Sequence, residues 1–244
     1  MDFSADGFLG GRIVVRQPIE GFRSGTDAVM LAAAVPATAN DALLELGSGV
    51  GVASLCVASR VTDCRVLGVE IAPQLVALAE ENARTNGLGN RVRFEQADTL
   101  GMPKHIRRSF DHVFCNPPFH GSTGETSPNA DRARALSDRD GFGDWIAAGL
   151  ARVAAGGTLT LIVRADRLGE ALQAAPQHGV AIFPLWPHGA SPAKRLILQI
   201  RKDSGAPLVV HPGLVLHDGH GGYTPQADAV LRGAASLALA TPGR

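Results

Sequence analysis

Short apolar runs alternate with longer amphipathic stretches along most of the chain. The runs span residues 42–46, 65–70, 92–96, 110–115 and 158–163. The run at 42–46 is continuously apolar apart from Glu45, which is typical of a parallel strand that is buried on both faces. Helical periodicity fills residues 52–60, 72–86, 144–155 and 167–175, and Gly87 and Gly156-Gly157 are expected to end two of these helices. Strands and helices in alternation predict an α/β fold with a mainly parallel sheet.

Two further apolar runs, at residues 180–186 and 195–200, lie close together in the chain. The residues between them, 187–194, are fewer than a parallel crossover requires, so we expect an antiparallel pair. With these two runs the predicted sheet has seven strands, and the last of them is antiparallel.

The segments before and after this sheet carry additional elements. Residues 12–18 form an extended segment after Gly10-Gly11, which predicts a hairpin or an edge strand. An apolar helix is expected over residues 28–34, with Thr26 or Asp27 as its N-cap. A final helix is predicted from residue 226 to about residue 240.

This order of elements predicts one domain over residues 1–244. Residues 1–40 form an N-terminal extension and helix, residues 41–202 the core sheet, and residues 203–244 a C-terminal extension. Apolar residues make up 45% of the chain and charged residues 19%, which is ordinary for a globular protein and excludes a disordered one.

Charge and cysteine content limit the partners and the compartment. The chain has 23 basic and 23 acidic residues, so its overall charge gives no basic footprint for nucleic acid. Cys56, Cys64 and Cys115 lack metal-ligand spacing and lie in apolar surroundings, which predicts reduced, buried thiols and no metal site. There is no apolar run of 18 residues and no basic leader, so we expect a cytoplasmic protein without a membrane span or signal peptide.

Acidic residues end three successive predicted strands. Glu45 and Glu70 lie at the ends of the first two strands, and Asp98 follows the third. Residues 47–51, Gly-Ser-Gly-Val-Gly, form a turn between the first strand and the next helix. In open α/β sheets ligands bind at the carboxyl ends of the strands, close to such turns and to helix N-termini. The glycine spacing differs from the G-x-G-x-x-G of dinucleotide binders, which disfavours a dinucleotide oxidoreductase.

The fourth strand ends abruptly at Asn116-Pro117-Pro118-Phe119. Two prolines cannot continue a strand, because they lack N–H donors and their φ angles are fixed. The chain therefore presents an amide, two carbonyl groups and an aromatic ring on a stiff turn, which suits the binding of a flat molecule with an NH2 group. About 20 loop-like residues, 120–139, follow this turn, and we interpret them as a substrate-ordering lid.

In combination these motifs resemble those of class I S-adenosylmethionine-dependent methyltransferases. Residues 44–51 match the first motif of that family, residues 68–70 the second, and residues 97–98 the third. Residues 116–119 match the NPP(Y/F) motif of the members that methylate planar exocyclic nitrogens. The resemblance covers about residues 20–202. It implies a Rossmann-like seven-stranded sheet with helices on both faces and an antiparallel last strand, here with a small N-terminal β extension.

Flanking segments resemble one branch of this family, the bacterial tRNA (adenine-N6)-methyltransferases that act on a valine tRNA. These segments lie around Gln17-Pro18, at residues 21–28, at residues 193–196 and at Tyr223-Thr224-Pro225. The resemblance implies S-adenosyl-L-methionine as cofactor and an RNA substrate, with adenine N6 in a tRNA as the expected acceptor. Local basic patches would then contact the RNA, and the candidates are Lys104, Arg107, Arg108, Arg132, Arg134, Lys194, Arg195, Arg201 and Lys202.

The resemblance also implies a role for each matching residue. Gly47, Gly49 and Gly51 would let the methionine part of the cofactor approach the backbone, with Glu45 near its amino group. Glu70 would bind the ribose hydroxyls, and Ile71, Ala97 and Asp98 would surround the adenine. Asn116 and Pro117 would accept hydrogen bonds from the substrate amine, on which Phe119 would stack, and Thr26 and Asp27 would lie near the substrate entrance.

Three other functions stay open at this point. A protein glutamine N5-methyltransferase also uses an NPP motif, although with Tyr where this chain has Phe119. A DNA adenine methyltransferase would carry a target-recognition domain, which the sequence does not suggest. A non-catalytic binding module on the same fold would fail to bind S-adenosylmethionine.

Overall fold

A nine-stranded sheet forms the centre of the molecule, and a separate two-stranded hairpin packs beside it. The structure is a computed structural model, and it describes residues 2–21, 23–118, 141–233 and 235–239. The strands within these ranges are β1 (Phe3–Phe8), β2 (Ile13–Pro18), β3 (Ala42–Leu46), β4 (Arg65–Glu70), β5 (Val92–Gln96), β6 (Phe110–Cys115), β7 (Val153–Arg164), β8 (Val180–Trp186), β9 (Arg195–Arg201), β10 (Val209–Val210) and β11 (Leu214–Val215). The α-helices are α1 (Thr26–Ala34), α2 (Val52–Arg60), α3 (Pro73–Thr85), α4 (Phe142–Leu150), α5 (Leu168–Ala174) and α6 (Pro225–Leu231).

The strand order of the large sheet is β10-β8-β9-β7-β6-β3-β4-β5, and β11 also pairs with β8. Strand β9 is antiparallel to β7 and to β8, whereas every other pair in this sheet is parallel. The predicted α/β class, the seven predicted strands and the antiparallel pair of runs are confirmed. The short strands β10 and β11 were not expected, and they extend the sheet from seven strands to nine.

The two faces of the sheet are covered by different hydrophobic cores. Neighbouring residues of a strand point to opposite faces, so that Leu43 belongs to the core with α1, α2 and α3, and Leu44 to the core with α4 and α5. This burial on both faces explains why the strands appear in the sequence as continuous apolar runs. The three cysteines are buried free thiols, as the sequence predicted.

The predicted N-terminal hairpin is also confirmed, and α3 covers its open edge. Strands β1 and β2 pair antiparallel, and residues 9–12 form the turn. The side chain of Asn86 accepts from the Val14 N–H at 2.9 Å and donates to the Val14 carbonyl at 2.7 Å. Asn82 makes the same pair of bonds with Arg16, at 2.9 and 3.1 Å. The two amides thus take the place of a third strand and fix the hairpin on the helix.

Two helix boundaries differ from those predicted. The helix expected over residues 144–155 spans only 142–150, and β7 begins at Val153. Gly156-Gly157 therefore lies inside the strand, where the pairing with β6 shifts register and a Cβ on Gly157 would come within 2.2 Å of the Asp111 carbonyl oxygen. The last helix ends at Leu231 rather than near residue 240, and Gly233 follows it with φ +67°.

Two predicted helix caps also differ. Gly25 occupies the N-cap of α1 without a side-chain bond, so neither Thr26 nor Asp27 caps that helix. The C-cap of α3 is Asn86, and Gly87 follows it in a left-handed conformation. Among the described residues, no helix is both long and apolar enough to cross a membrane.

Candidate active site

The carboxyl ends of four parallel strands bring the predicted site residues to one edge of the sheet. Leu46 is in register with Val69 on one side and with Cys115 on the other. Gly47, Glu70 and Asn116 therefore leave their strands side by side at the same level. Ala97 joins this level, because its N–H donates to the Glu70 carbonyl at 3.0 Å. Open α/β sheets bind ligands at this edge.

Residues 47–51 form a tight turn that brings several backbone N–H groups to the site edge. The Ser48 N–H donates to the Val69 carbonyl at 3.0 Å, and the Gly49 N–H donates to Glu70 Oε2 at 2.9 Å. All three glycines of the turn have positive φ angles, of +66°, +54° and +88°. A side chain in this left-handed region is strained, so the turn depends on glycine.

The surroundings of the three glycines differ. A Cβ on Gly49 would meet nothing within 4 Å, so its backbone is open to a ligand. A Cβ on Gly51 would lie 2.5 Å from Cζ of Phe94, and a Cβ on Gly47 would lie 3.0 Å from the indole ring of Trp145. Gly51 is thus needed for packing inside the fold, while Gly47 lets Trp145 of α4 lie directly against the turn.

The carboxylate of Glu45 is buried beneath the turn and has partners within the chain. It accepts hydrogen bonds from the Ser54 hydroxyl and, at 3.0 Å, from the Ser54 N–H in the first turn of α2. Burial raises the pKa of Glu45 to about 8 against the opposing effect of these bonds, and the nearby Glu70 contributes to the increase. Glu45 is 4% exposed, and its bonds to Ser54 join the end of β3 to the first turn of α2.

Glu70 and Asp98 also bond to backbone N–H groups. Glu70 connects two loops, because one oxygen accepts from Gly49 and the other accepts from the Ala72 N–H at 3.0 Å. Asp98 is exposed and accepts from the Leu100 N–H at 3.0 Å. Ile71 is 48% exposed beside Glu70, an apolar surface at the edge where a ligand would lie.

Asn116 leaves β6 next to the glycine turn, and Pro117 behind it is buried. The side-chain oxygen of Asn116 is buried and has no hydrogen-bond partner among the described residues. Such an atom loses its hydration without compensation, which makes it a strong acceptor for an incoming donor. Burial raises the pKa of Cys115, so this neighbouring thiol stays protonated. Phe119 and the predicted lid at 120–139 lie outside the described residues.

Thr26 and Asp27 begin α1, and Asp27 connects that helix to the site edge. Its carboxylate accepts from Nε of Arg195 at 2.8 Å. Strand β9 runs opposite to its neighbours, so its first residue, Arg195, lies at the edge where β6 and β7 end. Lys194 lies at this edge too and is exposed.

The other candidate phosphate contacts lie elsewhere or have partners in the chain. Arg201 ends β9 at the opposite edge and donates to the Gly156 carbonyl at 2.8 Å. Lys202 donates to two backbone carbonyls, and Arg107 donates to the Met102 carbonyl. Arg108 precedes β6, also at the opposite edge, and its guanidinium lies 4.9 Å from the ring centroid of Phe110. Arg132 and Arg134 lie outside the described residues.

A cavity of about 800 Å³ lies at the opposite edge of the sheet, away from the candidate site. Its lining includes Arg65, Arg93, Arg108 and Phe110, which belong to the beginnings of strands or to the loops before them. Glu45, Glu70 and Asp98 are not among its lining residues. The candidate site is therefore identified by the residues at the carboxyl ends of the strands, and not by the size of a cavity.

Sequence reasoning missed two residues of the site. Ser54 bonds to Glu45, and its only signal was a polar residue in an otherwise apolar helix. Trp145 lies against Gly47 although nearly 100 residues separate them in the chain, and nothing in its local sequence indicated this.

Comparison with known proteins agrees with the fold. Residues 37–137 match the family described as "Methyltransferase domain", which includes the glycine turn, the three acids and Asn116. A similar solved structure is that of a predicted O-methyltransferase from Agrobacterium tumefaciens. Its TM-score is 0.73 at 26% identity, and the match covers 86% of this chain and 98% of that one.

Curated relatives include enzymes that carry the name tRNA1(Val) (adenine(37)-N6)-methyltransferase. The relative from Haemophilus influenzae is 26% identical, and the match covers 66% of this chain and 69% of the relative. The relative from Shewanella amazonensis is 27% identical over 87% of this chain and 91% of its own. The second alignment extends well beyond the methyltransferase motifs into both flanking segments.

Proposed function

We propose that this chain, a class I S-adenosylmethionine-dependent methyltransferase, methylates the exocyclic N6 of an adenine in a tRNA. The observation that carries the proposal is the side-chain oxygen of Asn116, which is buried beside the glycine turn and has no hydrogen-bond partner within the described part of the chain. An amine that enters this site would supply the missing donor at the place where the methyl group is expected.

The site fits the cofactor S-adenosylmethionine. The open backbone at Gly49 would accommodate its methionine part, with Gly47 beside it. Glu70 would accept from the ribose hydroxyls, and the exposed side chain of Ile71 would pack on the adenine. Asp98 would accept from the adenine amine. Thr26 and Asp27 would border the entrance.

The buried position of Glu45 refines its proposed role. Its carboxyl group is held by Ser54, so it would fix the start of α2 against β3 and would not contact the cofactor's amino group directly.

The bound cofactor supplies an electrophilic methyl group, so the protein's task is to prepare the nucleophile. The lone pair of an adenine amine is delocalised into the ring. If Asn116 Oδ1 and the Pro117 carbonyl each accept one N–H of this amine, the nitrogen becomes pyramidal and its lone pair is directed at the methyl group. The buried Pro117 and its neighbour Pro118 hold both acceptors in place, so little ordering is left for the transition state. Phe119 would stack on the base, which is worth about 1–3 kcal/mol.

Within the described ranges, the ionisable groups near Asn116 favour an amine over a hydroxyl acceptor. A hydroxyl group must lose its proton to a base before or during attack. Burial raises the pKa of Cys115, and that of Glu45 is raised to about 8 with its carboxyl group directed at Ser54. Neither group is suited to that task. An amine needs no strong base, because it becomes acidic once it is methylated.

The relatives' names support tRNA as the substrate. Two aligned relatives are named for methylation of adenine 37 in a valine tRNA, and one of the alignments covers most of both chains. A stacked base would have to leave its stack to reach Asn116, as enzymes that modify bases require.

A methyl-transfer assay with tritiated S-adenosylmethionine tests this proposal. Total tRNA, ribosomal RNA, DNA and lysate protein from the same cells serve as parallel acceptors, and the label in RNA is then mapped by nuclease digestion. We expect label in tRNA, recovered as N6-methyladenosine. Label in protein, recovered as methylglutamine, would replace this proposal with the glutamine alternative. Failure to bind S-adenosylmethionine would indicate a non-catalytic module.

A further inference from the structure

Three rings form a ladder at the surface, two from the C-terminal extension and one from the loop between β8 and β9. The rings of His217 and Tyr223 are stacked, with centroids 4.9 Å apart and planes at 23°. The ring of His188 is also next to that of His217, with centroids 5.5 Å apart and planes tilted by 42°. His188 is exposed and Tyr223 is 40% exposed, so the outer members of the ladder are accessible from solvent.

The ladder is held by the backbone and does not depend on the rings alone. Strand β11 pairs with β8, and this pairing continues as the His217 N–H donates to the Pro187 carbonyl at 3.0 Å. His217 also forms an antiparallel bridge with Tyr223. The carboxylate of Asp218 accepts from the N–H groups of His220 and Gly222, at 2.8 and 3.1 Å, and so closes the loop between the two rings.

Strand direction places the ladder at the edge that contains the candidate active site. Strand β8 is antiparallel to β9, which is antiparallel to β7, so β8 runs in the same direction as β6 and β7. His188 follows the end of β8, just as Asn116 follows the end of β6. Lys194, at the start of β9, contributes an exposed positive charge to the same edge.

We propose that the ladder of His188, His217 and Tyr223 is a stacking platform for an unpaired base of the RNA substrate. This inference rests on the proposed function. The base that stacks on the platform is a neighbour of the methylated adenosine. Single-stranded RNA is bound by stacking of its bases on aromatic side chains, and a rigid platform loses little entropy in doing so. The carboxylate of Asp218 keeps its negative charge beside the ladder, because hydrogen bonds from the N–H groups of His220 and Gly222 lower its pKa, so the platform would act through stacking and not through charge.

The first test measures binding of an unmodified valine tRNA transcript to ring-deletion variants. We expect Tyr223→Ala and His188→Ala each to weaken RNA binding about 5- to 160-fold, the range that corresponds to loss of one base stack. Affinity for S-adenosylmethionine should stay unchanged. Tyr223→Phe and His217→Phe keep the rings and should bind RNA like the unaltered protein.

The salt dependence of binding separates stacking from charge. Tyr223→Ala should weaken binding equally at all salt concentrations. Lys194→Ala serves as the matched control, and it should reduce the slope of log affinity against log salt by about 0.7–0.9 if Lys194 contacts a phosphate. A lowered slope for Tyr223→Ala would overturn the stacking assignment.

Abasic substitutions in the RNA identify the base. One abasic nucleotide at a time is placed around the target adenosine, and the loss of RNA-binding affinity that it causes is measured with the unaltered protein and with Tyr223→Ala. We expect one position at which this loss of affinity disappears in the variant, because the missing base and the missing ring are stacking partners. If the losses of affinity from the abasic nucleotide and from Tyr223→Ala add at every position, the platform is refuted.

The ladder and the proposed function can fail separately. If the unaltered protein neither binds nor methylates the tRNA, both are wrong. If it does both while folded Tyr223→Ala and His188→Ala variants behave identically to it, only the ladder is wrong. His188 lies on a different loop from Tyr223. If Tyr223→Ala does not fold, RNA binding by His188→Ala tests the ladder instead.

Discussion

The carboxylate of Asp27 accepts a hydrogen bond from Nε of Arg195 at 2.8 Å, an ion pair between residues 168 positions apart. It joins the first turn of α1 to the first residue of β9, at the edge that contains the candidate active site. Arg195 was expected to bind phosphate and Asp27 to cap its helix. The pair gives each side chain an intramolecular partner and makes them one border of the proposed substrate entrance.

Breaking this pair should affect the enzyme's rate more than its stability. Both side chains are about one-third exposed, at 34% and 31%, and such pairs contribute about 0.2–1 kcal/mol to folding. We expect Asp27→Asn to lower the free energy of urea unfolding by less than about 1 kcal/mol and to reduce kcat/KM for tRNA more strongly. Arg164→Ala, which breaks an exposed pair with Asp166, is the control and should change stability to the same small extent. A loss of stability with normal kinetics would make the pair purely structural.

Glu45 should make the protein less stable as the pH rises. Burial raises its pKa from 4.5 to about 8, so between these values the folded protein retains a proton that the unfolded chain has lost. Unfolding is therefore favoured as pH increases through this range, by an amount on the order of 1 kcal/mol per pH unit at most. Glu45→Gln keeps the acceptor oxygen for Ser54 without a titratable group, so its loss of stability between pH 5 and pH 8 should be smaller.

Urea unfolding at pH 5 and pH 8 measures this difference for both proteins. Glu81→Gln, at the surface of α3, is the control and should retain the pH dependence of the unaltered protein. Equal pH dependence in the unaltered protein and in Glu45→Gln would show that Glu45 is ionised in the fold.

The central strands could be predicted because their burial is visible in the sequence. A strand covered on both faces has no polar face, so β3 and the middle of β4 appear as mostly apolar runs. The acids were predicted correctly at the strand ends, because a carboxylate at the end of a buried strand can reach backbone N–H groups of the next loop. Glu70 bonds to Gly49 and Ala72 in this way.

Features that depend on distant parts of the chain could not be predicted. Gly156-Gly157 has the composition of a helix stop. Glycine is needed at position 157 because the Asp111 carbonyl of the neighbouring strand, 46 residues away in the chain, leaves no room for a Cβ. Strands β10 and β11 are two residues long, too short for any periodicity to identify them. The contact of Trp145 with Gly47 depends on where α4 packs, which local sequence does not encode.

Asn116→Ala should separate catalysis from cofactor binding. If the side-chain oxygen accepts from the substrate amine, its removal should lower kcat by at least about 100-fold, as for other preorganised polar groups of active sites. Affinity for S-adenosylmethionine should change only a few-fold, because Glu70, Ile71 and the glycine turn are intact. Isothermal titration calorimetry measures the affinity, and its collapse would show that Asn116 chiefly holds the cofactor.

Two glycines of the turn provide a matched pair of substitutions. Ala at Gly49 or Gly51 meets the same left-handed backbone, which costs about 1–2 kcal/mol in each case. Gly51→Ala additionally places its Cβ 2.5 Å from Phe94, so it should unfold at clearly lower urea concentration. Gly49→Ala has open space and should stay folded, but lose affinity for S-adenosylmethionine because the new methyl group occupies the proposed binding surface. Normal cofactor affinity of Gly49→Ala would show that the methionine part of the cofactor does not bind at this turn.

Trp145 should report cofactor binding through its fluorescence. It is one of two tryptophans in the chain, and its indole ring lies against Gly47 in the proposed site. The other, Trp186, donates to the Pro212 carbonyl at the end of β8 and is separated from Gly47 by several strands. Binding of S-adenosylmethionine should therefore change the emission of the unaltered protein and of Trp186→Phe, but not that of Trp145→Phe. If the emission of Trp145→Phe changes on binding as much as that of the unaltered protein, the cofactor binds away from Gly47 and the proposed site is wrong.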